Sequence, residues 1–148
     1  MEGELIIAGF IKTSTADGPG VRSVLFFQGC SRNCPSCHNQ NISSKDGGIK
    51  VSVSNIFCYI KKYCKNKKLT ISGGEPLEQL SGLLELLQKL KSDEFDVCLY
   101  TGFEKDDIPS AVINYLHYLK TGRFIKDKIY PMKPFCGSNN QEFTVFDE

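Results

Sequence analysis

The sequence predicts an α/β fold: an open, partial (β/α) barrel with a mostly parallel sheet, in one domain spanning residues 1–148. Three observations carry this expectation. Strand-like runs alternate with helix-periodic runs, an order that gives right-handed crossovers and parallel neighbours. Residues 21–28, Val-Arg-Ser-Val-Leu-Phe-Phe-Gln, form an apolar run rich in β-branched and aromatic residues, the pattern of a strand buried on both faces. The chain is also too short, with about four β/α units, to close an eight-stranded barrel, which needs roughly 200 residues or more.

The elements follow in order. Thr15-Ala16-Asp17-Gly18-Pro19-Gly20 is dense turn punctuation before the first strand. That strand stops at Gly29, and residues 30–41 read as a loop of small and polar side chains. Ser52 or Ser54 is placed to cap a helix reaching about residue 63, with Ile56, Tyr59, Ile60 and Tyr63 on one face. Residues 68–72 form a short strand closed by Gly73-Gly74, and leucines at 80, 83, 84, 87 and 90 give helical spacing over residues 77–91. Residues 96–100 are the next strand, stopped at Thr101-Gly102, followed by a helix from Asp106 or Asp107 to about residue 116. A short strand covers residues 118–121. The chain is then irregular until a final strand at residues 143–146.

Composition narrows the function classes. Eighteen Lys and Arg against 17 Asp and Glu leave a formal charge of +1, no bulk field for gripping nucleic acid or an acidic membrane. No apolar run approaches the ~18–20 residues that span a bilayer, and Met1-Glu2-Gly3-Glu4 lacks the layout of a secretory signal. The expected location is cytoplasmic. Seven cysteines are many for such a chain. An odd number with three crowded together suits a metal or redox centre in a reducing compartment better than a disulfide scaffold.

The crowded three are Cys30, Cys34 and Cys37, in Gly29-Cys30-Ser31-Arg32-Asn33-Cys34-Pro35-Ser36-Cys37-His38-Asn39. Thiolates are soft ligands that suit iron–sulfur clusters and zinc. Three of them on a loop without bulky residues wrap a cubane and leave one iron open for a substrate. The alternative is a structural zinc completed by His38 or a distant cysteine. Structural zinc usually takes four ligands in two separated pairs, which this spacing fits poorly.

The spacing C-x3-C-x2-C after a buried strand resembles the signature of the radical S-adenosylmethionine enzymes. Asp17-Gly18-Pro19-Gly20-Val21-Arg22 and His38-Asn39 narrow the resemblance to activating enzymes that install a glycyl radical on a partner. The resemblance implies a partial barrel of the radical S-adenosylmethionine type and a [4Fe–4S] cluster held by Cys30, Cys34 and Cys37. Ile71-Ser72-Gly73-Gly74-Glu75-Pro76-Leu77, by itself a strand–helix turn with a satisfied carboxylate, resembles the family's GGE motif. It implies contact of Ser72, Gly73, Gly74 and Glu75 with the cofactor's amino group. The adenine end is implied to meet backbone at Ser36, Cys37 and His38. Ser36 stands where many superfamily members have an aromatic residue.

Lys120-Thr121-Gly122-Arg123-Phe124, Tyr100-Thr101-Gly102-Phe103 and Phe135-Cys136-Gly137-Ser138-Asn139-Asn140-Gln141 resemble the anaerobic ribonucleotide reductase activases. The likeness runs from about residue 10 to residue 141. Where that family often has a carboxylate near Thr121, this chain has Lys120, which either neutralises the cofactor's carboxylate or is a solvated strand-end lysine. The resemblance implies the reductase's glycyl-radical subunit as partner and a flavodoxin or ferredoxin-type electron donor. No direct nucleic-acid or membrane partner is expected.

The implied chemistry belongs to the cluster-bound cofactor, so no side chain is expected to act as general acid or base. His38 and Asn39 are read as groups tuning the cluster, and Asp17, Gly18, Pro19 and Gly20 as a surface admitting the partner's glycine loop. Cys58, Cys64, Cys98 and Cys136 lack the spacing of a second cluster. Cys58 and Cys98 are expected to be small core residues. Residues 61–68, rich in lysine, read as a helix C-terminus with a solvated face, or as a dock for an acidic electron donor. His117 reads as structural. Two alternatives stay open: an activase for a different glycyl-radical partner, and a small zinc-binding interaction module.

Overall fold

The computed structural model describes residues 3–29, 48–123, 125, 135–136, 138 and 140–146. Its strands are β1 (Glu4–Ser14), β2 (Arg22–Phe27), β3 (Ile49–Ser52), β4 (Lys68–Gly73), β5 (Asp96–Tyr100), β6 (Tyr118–Thr121) and β7 (Glu142–Val145). The helices are α1 (Val53–Tyr63), α2 (Leu80–Ser92) and the single turn α3 (Ser110–Ile113). All seven strands form one sheet in the order β3-β1-β2-β4-β5-β6-β7.

The α/β class stands, but the expected mostly parallel sheet does not: the sheet is mixed. β2, β4, β5 and β6 run parallel through its centre. β1 pairs antiparallel with both β2 and β3, and β7 pairs antiparallel with β6. The reason is local. The glycine-rich turn at residues 15–21 folds β1 back as a hairpin partner of β2, where a parallel neighbour would need a crossover of a dozen residues or more.

The helices cover one face. Val53, Ile56 and Ile60 of α1, Leu83, Leu86, Leu87 and Leu90 of α2, and Val112 of α3 meet Leu25, Phe27, Leu69, Ile71, Val97, Leu99 and Leu119 from the strands. Each such side chain contributes about 1.5–3 kcal/mol by leaving water. Strand alternation sends the intervening residues to the other face. In register there are Val24, Thr70, Cys98 and Tyr118 across β2, β4, β5 and β6, with Tyr100 beside Lys120 one step further along. This face, free of helices among the described residues, is polar and aromatic, yet Val24, Thr70, Cys98 and Tyr100 on it are buried.

Local chemistry sets the helix limits. Ser52 caps α1, its side chain accepting from the Asn55 amide at 3.2 Å. Ile56 and Ile60 are buried as the spacing predicts, whereas Tyr59 is 45% exposed and packs edge-on to Phe10. The helix expected from 106 or 107 to 116 is broken into a 3-10 turn at Lys105–Asp107 and the single turn of α3. Pro109 explains the break, since its ring forces Ile108 out of helical geometry, to ψ 127°.

Candidate functional site

The three expected thiolates, Cys30, Cys34 and Cys37, lie outside the described residues, as do Ser36, His38 and Asn39. What the structure places is the ground on either side of them. β2 ends at Phe27, and Gly29 follows at the carboxyl end of the strand, immediately before Cys30.

Gly29 meets the glycine turn directly. The Gly74 amide donates to the Phe27 carbonyl and the Glu75 amide to the Gly29 carbonyl, both at 2.8 Å. These bonds carry the β2–β4 ladder past the end of the strands and tie the start of the cysteine loop to the turn. The two glycines are required by this approach. Gly73 sits at φ +121°, and a Cβ there would lie 2.2 Å from the Phe27 nitrogen. On Gly74 a Cβ would lie 2.2 Å from the Gly29 carbonyl oxygen. The pair therefore packs backbone on backbone, and its first neighbour is the chain leading into the thiolates.

Glu75 is 2% exposed and works as a clamp. Its Oε2 accepts from the Thr101 hydroxyl at 2.6 Å and the Leu77 amide at 3.1 Å. Its Oε1 accepts from the Gly102 amide at 2.7 Å. A buried carboxylate is tolerable because these donors replace its water. The clamp locks the turn after β4 to the turn after β5. Ser72, the first residue of the motif, is buried near the end of β4.

Lys120 is not a simple solvated lysine. Its Nζ stands 3.9 Å from the centroid of the Tyr100 ring, a cation–π contact on the helix-free face. Tyr100 was not singled out from the sequence as a site residue; the signal was an aromatic ending an otherwise aliphatic strand. Its hydroxyl oxygen is buried and has no hydrogen-bond partner among the described residues. Burial, chiefly, with help from Cys98 and the Asp17 carboxylate, raises its pKa well above the usual phenol value, so the hydroxyl stays neutral.

Asp17, Gly18, Pro19 and Gly20 sit in the β1–β2 turn, at the opposite end of β2 from Gly29. The structure does not bring them to the glycine turn: a six-residue strand separates the two ends by roughly 17 Å. The loop is firmly held. Ser14 Oγ donates to Asp17 Oδ2 and Thr70 Oγ1 to the Asp17 carbonyl, each at 2.6 Å. Arg22, 1% exposed, donates through Nη1 to the Pro19 carbonyl at 3.0 Å and pairs with Asp96 Oδ1 at 2.6 Å.

The tail motif folds back on Gly122. Gln141 Nε2 donates to the Gly122 carbonyl at 2.8 Å, and Asn140 Nδ2 to the Arg123 carbonyl at 3.0 Å. Ser138 Oγ accepts from the Ile125 amide at 3.1 Å. Of the scattered cysteines, Cys64 and Cys98 are buried and Cys136 is half-buried. Cys58 is exposed, contrary to expectation, because it lies two residues from both Ile56 and Ile60 and so points away from their face. Burial pushes the Cys98 thiol up to about 12. No group of three or more metal-ligating side chains occurs among the described residues. His117 is structural there, its Nδ1 accepting from the Val97 amide at 3.3 Å. No helix among the described residues is long and apolar enough to cross a membrane.

The chain is similar to known proteins in sequence and in fold. A family described as a 4Fe-4S single cluster domain matches residues 16–144. The anaerobic ribonucleoside-triphosphate reductase-activating protein of Vibrio cholerae is 34% identical over 84% of this chain and 88% of its own length. The protein of the same description from Haemophilus influenzae is 32% identical over 89% and 92%. The pyruvate formate-lyase 1-activating enzyme of Escherichia coli is 32% identical over 64% of this chain and 41% of its own. In fold, the chain resembles the crystal structure of QueE from Escherichia coli, with a TM-score of 0.51 and 18% identity over 67% of this chain and 52% of that one.

Proposed function

The chain belongs to the 4Fe-4S single cluster domain family and, within it, to the anaerobic ribonucleoside-triphosphate reductase-activating proteins, and from that membership we propose how its residues divide the work. It is an iron–sulfur enzyme that reductively cleaves S-adenosylmethionine and generates a glycyl radical on the anaerobic ribonucleoside-triphosphate reductase. The bound cluster and S-adenosylmethionine supply the one-electron chemistry that lets a hydrogen atom leave the partner's glycine Cα.

We assign the cluster to Cys30, Cys34 and Cys37. The donor set fits: three thiolates follow Gly29 at the carboxyl end of β2, where ligands sit in parallel β/α sheets. Ser72, Gly73 and Gly74 would face the amino group of S-adenosylmethionine through the turn's polar atoms. Glu75 would act through position, since Thr101, Gly102 and Leu77 already occupy its carboxylate. Ser36, Cys37 and His38 would flank the adenine. Lys120, held over Tyr100, would neutralise the carboxylate of S-adenosylmethionine. Asp17 to Gly20 would face the partner from the far end of the sheet.

At the level of the whole protein we propose a single domain shaped as an open partial barrel, acting in the cytoplasm. Its reductant would be a flavodoxin or ferredoxin-type donor. The observation that supports the site assignment is the pair of 2.8 Å bonds joining Phe27 and Gly29 to the Gly74–Glu75 turn. They hold Gly29, the residue before Cys30, against the glycine motif at one end of the sheet.

Anaerobic reconstitution with iron and sulfide tests the function. The expected outcome is about four irons per chain, methionine and 5′-deoxyadenosine after reduction, and a glycyl signal by electron paramagnetic resonance when the reductase is present. A colourless protein holding one zinc would overturn it. A glycyl signal only on another partner would redirect it to a different activase.

A further inference from the structure

We propose that Gln141 is a positioning residue for S-adenosylmethionine: its side-chain amide holds the Gly122 turn, and through it sets Lys120 and the Glu75 clamp in the arrangement that receives the cofactor. The inference rests on the activase reading, in which Gly73–Glu75 and Lys120 meet S-adenosylmethionine, and it gives work to a tail motif that this reading leaves unused.

The observations form one connected path. Gln141 is 5% exposed, and both ends of its amide are bonded: Nε2 donates to the Gly122 carbonyl at 2.8 Å, and Oε1 accepts from the Ser138 amide at 3.2 Å. The Gly122 amide donates in turn to the Phe103 carbonyl at 2.9 Å, so this glycine, at φ +96°, is bonded on both sides. Just before it on β6, the Lys120 carbonyl accepts from the Thr101 amide at 2.9 Å. The Phe103 amide donates to Thr101 Oγ1 at 3.1 Å, and that hydroxyl donates to Glu75 Oε2. The turns after β4, β5 and β6 are therefore joined from Glu75 to the tail. The bonds of the Gly74 and Glu75 amides continue the path to Phe27 and Gly29 at the end of β2.

What the tail buries speaks for position over stability. Its buried side chains, Ser138 and Gln141, are polar, whereas Phe143 and Thr144 of β7 are half-buried and Glu142 and Val145 exposed. Among the described tail residues only Phe146 packs against the aliphatic core. A buried polar pair contributes little net stability, because each bond it makes replaces one to water, but it fixes a single arrangement. The sheet does not require the amide either: the β6–β7 ladder already pairs Thr121 with Glu142, and Gln141 precedes it. What Gln141 fixes is the end of β6, close along the chain to Lys120, whose Nζ stands 3.9 Å from the centre of the Tyr100 ring. A strand end that shifts by a fraction of an ångström moves that ammonium against the Glu75 turn, and a site built from both loses affinity.

Binding is measured apart from turnover. Reconstituted, unreduced wild type and Gln141→Met are titrated with S-adenosylmethionine by calorimetry, with iron content and Tm measured on the same samples. The expected result is an unchanged iron content and a Kd raised about tenfold, the size of one lost hydrogen bond. After reduction, kcat for 5′-deoxyadenosine at saturating cofactor should stay within about twofold. A merely structural loss does the reverse: it lowers the active fraction, and hence kcat, and leaves Kd alone. Ile60→Val, a core variant in α1 that lowers Tm, should accordingly keep the wild-type Kd. Should Gln141→Met fail to fold, Asn140→Ala decides. It removes only the exposed bond to the Arg123 carbonyl next to Gly122, and should raise Kd about threefold. An unchanged Kd in the variant that decides, or the same rise in Ile60→Val, would overturn the proposal. Wild type that takes up its cluster yet binds no S-adenosylmethionine would sink the activase reading, and this inference with it, before any variant is compared.

Discussion

Arg22 makes five hydrogen bonds in a place that water hardly reaches: to Thr70 Oγ1, to the carbonyls of Pro19, Leu69 and Asp96, and to Asp96 Oδ1. Its guanidinium also lies 5.4 Å from the centre of the Tyr118 ring. One planar fork thus ties the β1–β2 turn to the starts of β4 and β5, work that a lysine's single ammonium cannot share out. Replacing Arg22 by Met should cost about 3 kcal/mol, because it strands the carbonyls and leaves Asp96 without its cation. Urea unfolding of the apo protein measures this, and a loss below about 1 kcal/mol would contradict the role. Gly74 is the second decisive residue. Gly74→Ala puts a Cβ 2.2 Å from the Gly29 oxygen, so the turn and the cysteine loop must part. The expected consequence is a reconstituted protein with well under half the wild-type iron, read by iron assay. Full loading would mean that the junction is dispensable.

Between elements, the Glu75 clamp is the strongest link, because one carboxylate joins the turns after β4 and β5. Thr101→Val keeps the shape and removes the donor, so it should lower stability by about 2 kcal/mol, the range for a hydrogen bond to a charged group. Adding Glu75→Gln should then cost less than it does alone. A double-mutant cycle that finds simple additivity would show the two side chains to be energetically independent. This clamp also marks a limit of reading from sequence. The capping of α1, at Ser52 of the two serines expected, and part of the leucine face of α2 (Leu83, Leu87 and Leu90, though not Leu86) were legible, because helical spacing and caps are local. The contact of Glu75 with Thr101 spans 26 residues and exists only once β4 and β5 are neighbours. β1 and β3 were missed for the same kind of reason: their identity as strands rests on the hairpin that the 15–21 turn closes. The break of the third helix at Pro109 is a local effect, and the proline itself is plain in the sequence.

Across the whole molecule, the sheet divides labour between its faces. The helix side is aliphatic and holds the fold, while the other side buries polar groups such as Thr70, Cys98 and Tyr100. The end of the sheet carrying Gly29 and Gly73–Glu75 was legible, since both motifs follow strands directly. The fate of the opposite end was not, because a motif string does not reveal that Arg22 and Thr70 hold the Asp17 loop in place. Burying neutral acids on the helix-free face has a consequence for stability against alkali. Burial raises the Cys98 thiol from 9.0 to about 12 in the folded chain, whereas the unfolded chain ionises near the ordinary value. Above pH 9 the unfolded state therefore binds fewer protons than the native state, and stability falls as pH rises. The stabilisation is whole below pH 9 and fades up to about 12, at up to about 1.4 kcal/mol per pH unit from this group. Tyr100, also raised, adds to the slope above pH 10. Urea midpoints of the reduced apo protein at pH 8, 9, 10 and 11 should therefore drop with increasing steepness. Cys98→Ala should start lower at pH 8, because it opens a cavity, but decline more gently between pH 9 and 11. Parallel curves for the two proteins would show that the thiol ionises in place, and that this face is open to water.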